Sequence, residues 1–219
     1  MDLTAFTIWG YALSWLEIAG FVTGFVAIYL AGRNHVATFF VGLLNCVLYF
    51  VLFMQQRLYS MMLLQVLFFA IDIYGIVAWG IPHKNKPDKQ LRIATLQPQN
   101  QVGLGLGIIF GGLIWGWLVE SITTHCGLVP SNYVYTEAII FMANVAGQLL
   151  LARKKIENWV VWVAADIAGV ALCAFTHMYL SALLYAAYTT IAVYAWRNWY
   201  KEMAADKLSD KTSNKKKKK

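Results

Sequence analysis

An all-α integral membrane protein of seven transmembrane helices, arranged as two parallel three-helix bundles joined by a linker helix (3+1+3), is the fold class the sequence predicts. Three observations carry that expectation: an apolar content too high for a water-soluble domain, seven apolar stretches of membrane-crossing length, and a self-similarity between the two halves of the chain. Of the 219 residues, 59% are hydrophobic and 13% charged, and the mean hydropathy is +0.55. Soluble domains carry about 45–50% apolar and about 25% charged residues, and a fold of this size leaves too much of its surface in water to hide such a surplus. The surplus faces lipid, which excludes a secreted disulfide scaffold, a disordered chain and a cytosolic enzyme.

A bilayer core needs roughly 20 apolar residues per helix, and within it the backbone must satisfy its own hydrogen bonds. Met1 to Gly10 reads as a short lead-in, not a signal peptide. The spans then follow as Leu13–Gly32, Val36–Met54, Ser60–Gly80, Val102–Val119, Tyr135–Ala152, Trp159–Phe175 and Ser181–Trp199. They define a first bundle (13–80), a polar loop, linker helix and outer loop (81–134), a second bundle (135–199) and a basic tail (200–219). In the linker, Gly103, Gly107 and Gly111 form a stripe suited to close helix approach. Trp79, Trp159 and Trp199 stand at span ends, where a membrane belt of aromatics is expected.

The net charge is +7, and nine of the 18 Lys and Arg residues lie from Arg197 onward. Counted over the connections, 17 of the 18 fall on one side and only Arg57 on the other. The positive-inside rule then places the C-terminus in the cytoplasm and the N-terminus outside, in a plasma (inner) membrane. The tail reads as a segment held near anionic lipid, not as a nucleic-acid arm. Cys46, Cys126 and Cys173 show no metal-ligand spacing. No metal or cofactor is indicated, and the sequence leaves open whether copies of the chain associate.

Adding 120 to positions in the first bundle reaches like residues in the second. Glu17 falls on Glu137, Arg33 on Arg153, Tyr59 on Tyr179, Tyr74 on Tyr194 and Trp79 on Trp199. A one-residue slip in the preceding hairpin would bring Asn45 near Asp166. Two odd-numbered bundles joined by one helix share an orientation, the parallel-repeat arrangement of some transporters, whose substrate sites lie near the midplane between repeats.

Ionisable groups inside a membrane are costly and tend to face the bundle interior. Glu17, Asp72, Glu137 and Asp166 lie within the spans, and no Lys or Arg lies deep enough to pair with them. Glu17 and Glu137 sit near the outer span ends, where they could reach interfacial water or cap a neighbouring helix, and a structural role is the first reading. Asp72 and Asp166 are nearer mid-span, where a transport role and a structural hydrogen-bond role are both open. Around them lie Asn45, Gln65, Phe68, Tyr74, Asn144, Gln148, Trp162, Tyr185 and Tyr188. Amides beside aromatics suit a flat heteroaromatic ligand, and carboxylates beside aromatics suit a cation. No nucleotide-binding loop, metalloprotease or hydrolase motif is present, so the expectation is a transporter, not an enzyme. The alternatives are a neutral-solute carrier, such as a sugar carrier, and a non-transporting membrane subunit.

The stretches LSWLEIAG, VGLLNCVLYF, RLYSMMLLQVLFF, IYGIVAW, RKKIENWVVW and MYLSALLY, in this order and spacing, resemble the PnuC family of bacterial vitamin transporters. That family is similar in architecture to the SWEET sugar carriers. The resemblance implies uptake of a vitamin precursor by facilitated diffusion, with trapping by a cytoplasmic vitamin kinase: a phosphate makes the product too anionic to leave. It implies nicotinamide riboside as substrate, with thiamine as the alternative, and roles in binding for Asn45, Gln65, Tyr74, Trp162 and Asp166. The chain departs from many relatives at YGIVAW and at Asp72, where an uncharged residue is common.

Overall fold

The computed structural model describes residues 4–8, 11–55, 59–80, 91–127, 131–175 and 179–217. They form two compact units, Met1–Leu91 and Arg92–Lys219. The first holds an antiparallel hairpin, β1 (Thr4–Ile8) and β2 (Tyr11–Ser14), then α1 (Trp15–Gly32), α2 (Ala37–Gln55) and α3 (Tyr59–Gly80). The second holds α4 (Pro98–His125), α5 (Val134–Ala152), α6 (Glu157–Phe175) and α7 (Tyr179–Lys217). Helices α1 to α6 are long and apolar enough to cross a membrane, and their exposed faces are rich in Val, Ile, Leu and Phe. The hairpin is an addition to the expected all-helical fold; Gly10 of the expected lead-in lies outside the described residues.

Sequence explains where the helices begin. Ser14 and Glu17 form a capping box: the Glu17 amide donates to the Ser14 hydroxyl at 3.2 Å, and the Ser14 amide donates to Glu17 Oε2 at 2.7 Å. Glu137 lies in the first turn of α5 and accepts from the Ser131 hydroxyl at 2.8 Å. Both acids therefore act at helix starts, where a carboxylate also meets the positive end of the helix dipole.

Neighbouring helices in the chain pack together: α1 on α2, α2 on α3, α4 on α5, α5 on α6 and α6 on α7. Glycines bring α4 close to the backbone of α5. A Cβ on Gly112 would stand 2.7 Å from the Cα of Ile139, and one on Gly116 would stand 2.7 Å from the Tyr135 ring. Trp115 stacks on Phe141 at 5.0 Å beside them. The packing glycines are thus Gly111, Gly112 and Gly116. At Gly103 and Gly107 a Cβ would meet nothing within 4 Å, so two members of the expected stripe make no close approach. Helix α4 is also longer than its sequence-predicted span, because Pro98 supplies a pre-set first turn.

Residues 91–97, expected as open loop, are clipped to the second unit. The Ala94 amide donates to the Lys154 carbonyl at 3.0 Å, and the Ile156 amide donates to the Ala94 carbonyl at 3.1 Å. At its other end the unit holds α7 far past Trp199: 39 residues make a helix of about 58 Å, against about 30 Å of hydrocarbon. Met203 is buried in this extension. Burial pulls the Lys154 ammonium below its ordinary range, while Glu202 and Asp206 of α7 pull the other way.

The internal repeat is written into the backbone. Asn34 (φ 53°) and Lys154 (φ 50°) are 120 residues apart and are the non-glycine positions of left-handed backbone among the described residues. Each follows a helix-ending arginine, Arg33 or Arg153, of closely similar dihedrals. The amides of Asn34 and Lys154 donate to Ala31 and Leu151 at 2.9 Å each, and those of Phe39 and Trp159 donate to Val36 and Ile156 at 3.2 Å each. Phe39 and Trp79 meet edge-to-face at 4.9 Å and 89°; Trp159 and Trp199, their counterparts at offset 120, do the same at 5.5 Å and 87°. Since the offset holds unbroken through the hairpin, the expected slip does not occur. Asp166 corresponds to Cys46, and Asn45 to Ala165. Trp159 and Trp199 are also core residues, with Trp199 fully buried, not the belt residues their span-end positions suggested.

Candidate functional site

In the first unit, the candidate residues divide between two helix contacts. Asn45 on α2 turns to α1: its amide nitrogen donates to the Gly20 carbonyl at 2.7 Å and to the Thr23 hydroxyl at 2.9 Å. The Thr23 hydroxyl in turn donates to the Ala19 carbonyl at 2.8 Å. Asp72 on α3 turns to α2. A Cβ on Gly42 would collide with its Oδ2, and the Cys46 thiol donates to the same oxygen at 3.9 Å. Asp72 is 1% exposed. Gln65 is buried two turns before it, Phe68 is half-buried, and Tyr74 is exposed. Asn45 and Asp72 are therefore held by different neighbours.

In the second unit two candidates, Trp162 and Asp166, share one face of α6, and a third, Tyr185, meets that face at Gly169. Trp162, Asp166 and Gly169 follow at steps of four and three, so they share a helical face. Glycines shape both flanks. Gly147 of α5 lets the Trp162 ring close, at 3.1 Å from where a Cβ would stand, and Gly169 admits the Tyr185 ring of α7 at 3.0 Å. Asp166 stands between these two rings in sequence and is 7% exposed. No hydrogen bond or ion pair reaches it from the described residues. A carboxylate so placed is costly unless it carries a proton or meets a cation or donor. Asn144 spends one amide proton on the Ile140 carbonyl of its own helix at 3.0 Å, and Gln148, Tyr185 and Tyr188 are half-buried. The Thr189 hydroxyl donates to the Tyr185 carbonyl at 2.9 Å.

Sequence reasoning missed Gly42, Gly147 and Gly169, whose lack of a side chain makes room for Asp72, Trp162 and Tyr185. The signal was present in part, since each lies on a helix where Gly has a cost of about 0.5–1 kcal/mol relative to Ala. It also missed Thr38 and Asn158, buried polar residues at equivalent positions of the repeat. Thr38 donates to the Ala27 carbonyl at 2.8 Å, and Asn158 donates to the Lys155 carbonyl at 2.6 Å. Among the described residues no cluster of His, Cys, Asp and Glu could hold a metal ion.

Residues 14–201 match the family model described as nicotinamide mononucleotide transporter. The chain belongs to this transporter family. Over 207 residues it is 30% identical to the nicotinamide riboside transporter PnuC of Escherichia coli (strain K12), covering 87% of each chain. It is 21% identical over 202 residues to the riboflavin/roseoflavin transporter RibM of Streptomyces davaonensis, covering 91% of each. In fold it is similar to the crystal structure of the vitamin B3 transporter PnuC, with a TM-score of 0.67 at 18% identity over 87% of this chain and 83% of that one. Family membership and the six apolar helices make this a multi-pass membrane transporter, and the resemblance read from the sequence stands.

Proposed function

We propose that the chain takes up a cationic vitamin precursor, nicotinamide riboside first, by facilitated diffusion, and that its α6 face carries the recognition. The observation behind this reading is Asp166: nine-tenths buried, mid-helix, flanked in sequence by Trp162 and by the Gly169–Tyr185 contact, and without a basic partner among the described residues. A flat cationic ring meets such a carboxylate by charge and the aromatics by cation–π attraction. A neutral flavin would leave the acid unmatched, so the reading favours the substrate of the 30%-identical relative over that of the 21%-identical one. Thiamine, also cationic, is the second reading. A second carboxylate, Asp72, would suit the amino group of the thiamine pyrimidine, but it is packed behind Gly42 and Cys46, which leaves thiamine only the charge that both cations share.

The proposal keeps the 3+1+3 arrangement with α4 as the linker, the N-terminus outside, the C-terminus cytoplasmic, and trapping of the cargo by a cytoplasmic kinase in the inner membrane. The remaining proposed site residues are Asn45, Gln65, Phe68, Tyr74, Asn144, Gln148 and Tyr188. The test is calorimetry of the purified chain with nicotinamide riboside, thiamine and riboflavin, paired with uptake into proteoliposomes. Binding of the two cations over riboflavin, and uptake without a proton or sodium gradient, is the expected result. Preferential riboflavin binding, or strict gradient dependence, overturns the reading.

A further inference from the structure

A cavity of about 470 Å³ opens in the second unit where α4 and α6 begin, between these helices and α7. It is separate from the α6 face described above: Trp162, Asp166 and Tyr185 do not line it, and Glu157 and Asp166 are nine residues, about 13 Å, apart along the helix. Its walls are apolar, with Leu104 on α4 and Val160 on α6. Its polar end is Glu157 with Gln101, and its α7 side is Trp196 and Tyr200.

Glu157 is half satisfied. Its Oε1 accepts from the Leu96 amide at 2.8 Å and from Gln101 Nε2 at 3.1 Å. Its Oε2 is buried and has no hydrogen-bond partner among the described residues. A buried carboxylate oxygen left in this state asks for a donor, and a charged donor best. Arg197 and Lys201 stand on α7 immediately after Trp196 and Tyr200, and both are exposed. The acid lines the cavity; the two bases do not, each being turned about 100° round α7 from the ring it follows, so a zwitterion whose cation enters first would leave its anion at the rim, within reach of their long side chains. Val160, Trp196 and Tyr200 are themselves exposed, as are Val102 and Leu106 next to the α4 wall, so the mouth is bordered by apolar surface of the kind that faces lipid.

We propose that this cavity binds an aminophospholipid: its ammonium at Glu157 beside Trp196 and Tyr200, its phosphate toward Arg197 and Lys201, and one acyl chain along Leu104 and Val160. A quaternary headgroup lacks the N–H that Glu157 requires, and an anionic headgroup would set negative charge against it.

The test uses the full-length chain, stripped of native lipid and titrated with phosphatidylethanolamine, phosphatidylcholine or phosphatidylglycerol of identical acyl chains. Retained lipid is read by native mass spectrometry and stability by thermal midpoint. Phosphatidylethanolamine is expected to be retained preferentially and to raise the midpoint. Glu157→Gln keeps an acceptor for Leu96 but removes the charge, and should weaken retention about tenfold, the scale of one charge-assisted hydrogen bond. Gly105→Phe fills the cavity from a position where a Cβ meets nothing within 4 Å, and should weaken it as well; should Glu157→Gln fail to fold, this variant decides. Equal retention of the three lipids, or phosphatidylethanolamine retention untouched by Gly105→Phe, overturns the proposal. Neither result bears on Asp166.

Discussion

In α1–α3 the mid-span acid arrives from α3 and ends against α2. Asp72 fills the space above Gly42, takes the Cys46 thiol, and is 1% exposed. In α5–α7 the acid rides on α6 itself, at the position equivalent to Cys46, and no described residue answers it. The two regions share a left-handed turn, its hydrogen bonds and an edge-to-face aromatic pair at one offset of 120 residues. Common scaffold with divergent acids teaches that the hairpin and the aromatic pair hold each region's geometry, while the acids are free to take different work. Asp72 fills an interhelical space, whereas Asp166 meets no hydrogen-bond donor or base among the described residues.

The largest effect is expected at the aromatic pair. Trp199→Ala empties a fully buried site against Trp159 and should cost about 3–5 kcal/mol, read as a fall in thermal midpoint in detergent. Trp79→Ala, at a half-buried counterpart, should cost less. An equal fall in both would mean that the two pairs carry the same load.

The acids separate next. Asp166→Asn should weaken binding of nicotinamide riboside by about tenfold or more, the scale of one lost charge-assisted contact, with the midpoint held. Asp72→Asn should leave the affinity unchanged and lower the midpoint instead. Calorimetry and thermal scans on the same samples read both, and a reversed pattern would exchange the roles assigned to the two carboxylates.

Helix α4, which has no counterpart in the first region, sharpens the contrast through its glycines. Gly112→Ala forces a Cβ onto the Ile139 backbone and should cost about 1–3 kcal/mol. Gly107→Ala, in open space, should be neutral or slightly stabilising, since Ala is the better helix former. The smallest effect belongs to the turn. Lys154→Gly relieves a left-handed lysine and should gain about 1 kcal/mol. Asn34→Gly should change little, because Asn tolerates that backbone. Matched midpoints for these two variants would show that the lysine is not strained.

Much of the architecture could be read without coordinates. Six of the seven expected spans correspond to the apolar helices α1 through α6, the seventh lies within α7, and the offset of 120 anticipated the twin hairpins. Glu17 and Glu137 could be read as structural acids because they sit near span ends; that each serves the start of its own helix, beside Ser14 and Ser131, came from the coordinates. The longer reach of α7, the clipped 91–97 segment and the burial of Trp159 and Trp199 could not. Each depends on what packs beside a residue, and a tryptophan at a span end looks the same whether lipid headgroups or another ring lies next to it.

By itself, the sequence determined the solvent. A chain this apolar must turn its helices outward to lipid, and a shared period of 120 must build two like hairpins, because both follow from composition and local backbone chemistry. Tertiary structure alone decided which mid-span acid packs against a neighbouring helix's glycine. Gly42 lies thirty residues before Asp72, and only the packing of α3 on α2 brings that missing side chain opposite the carboxylate.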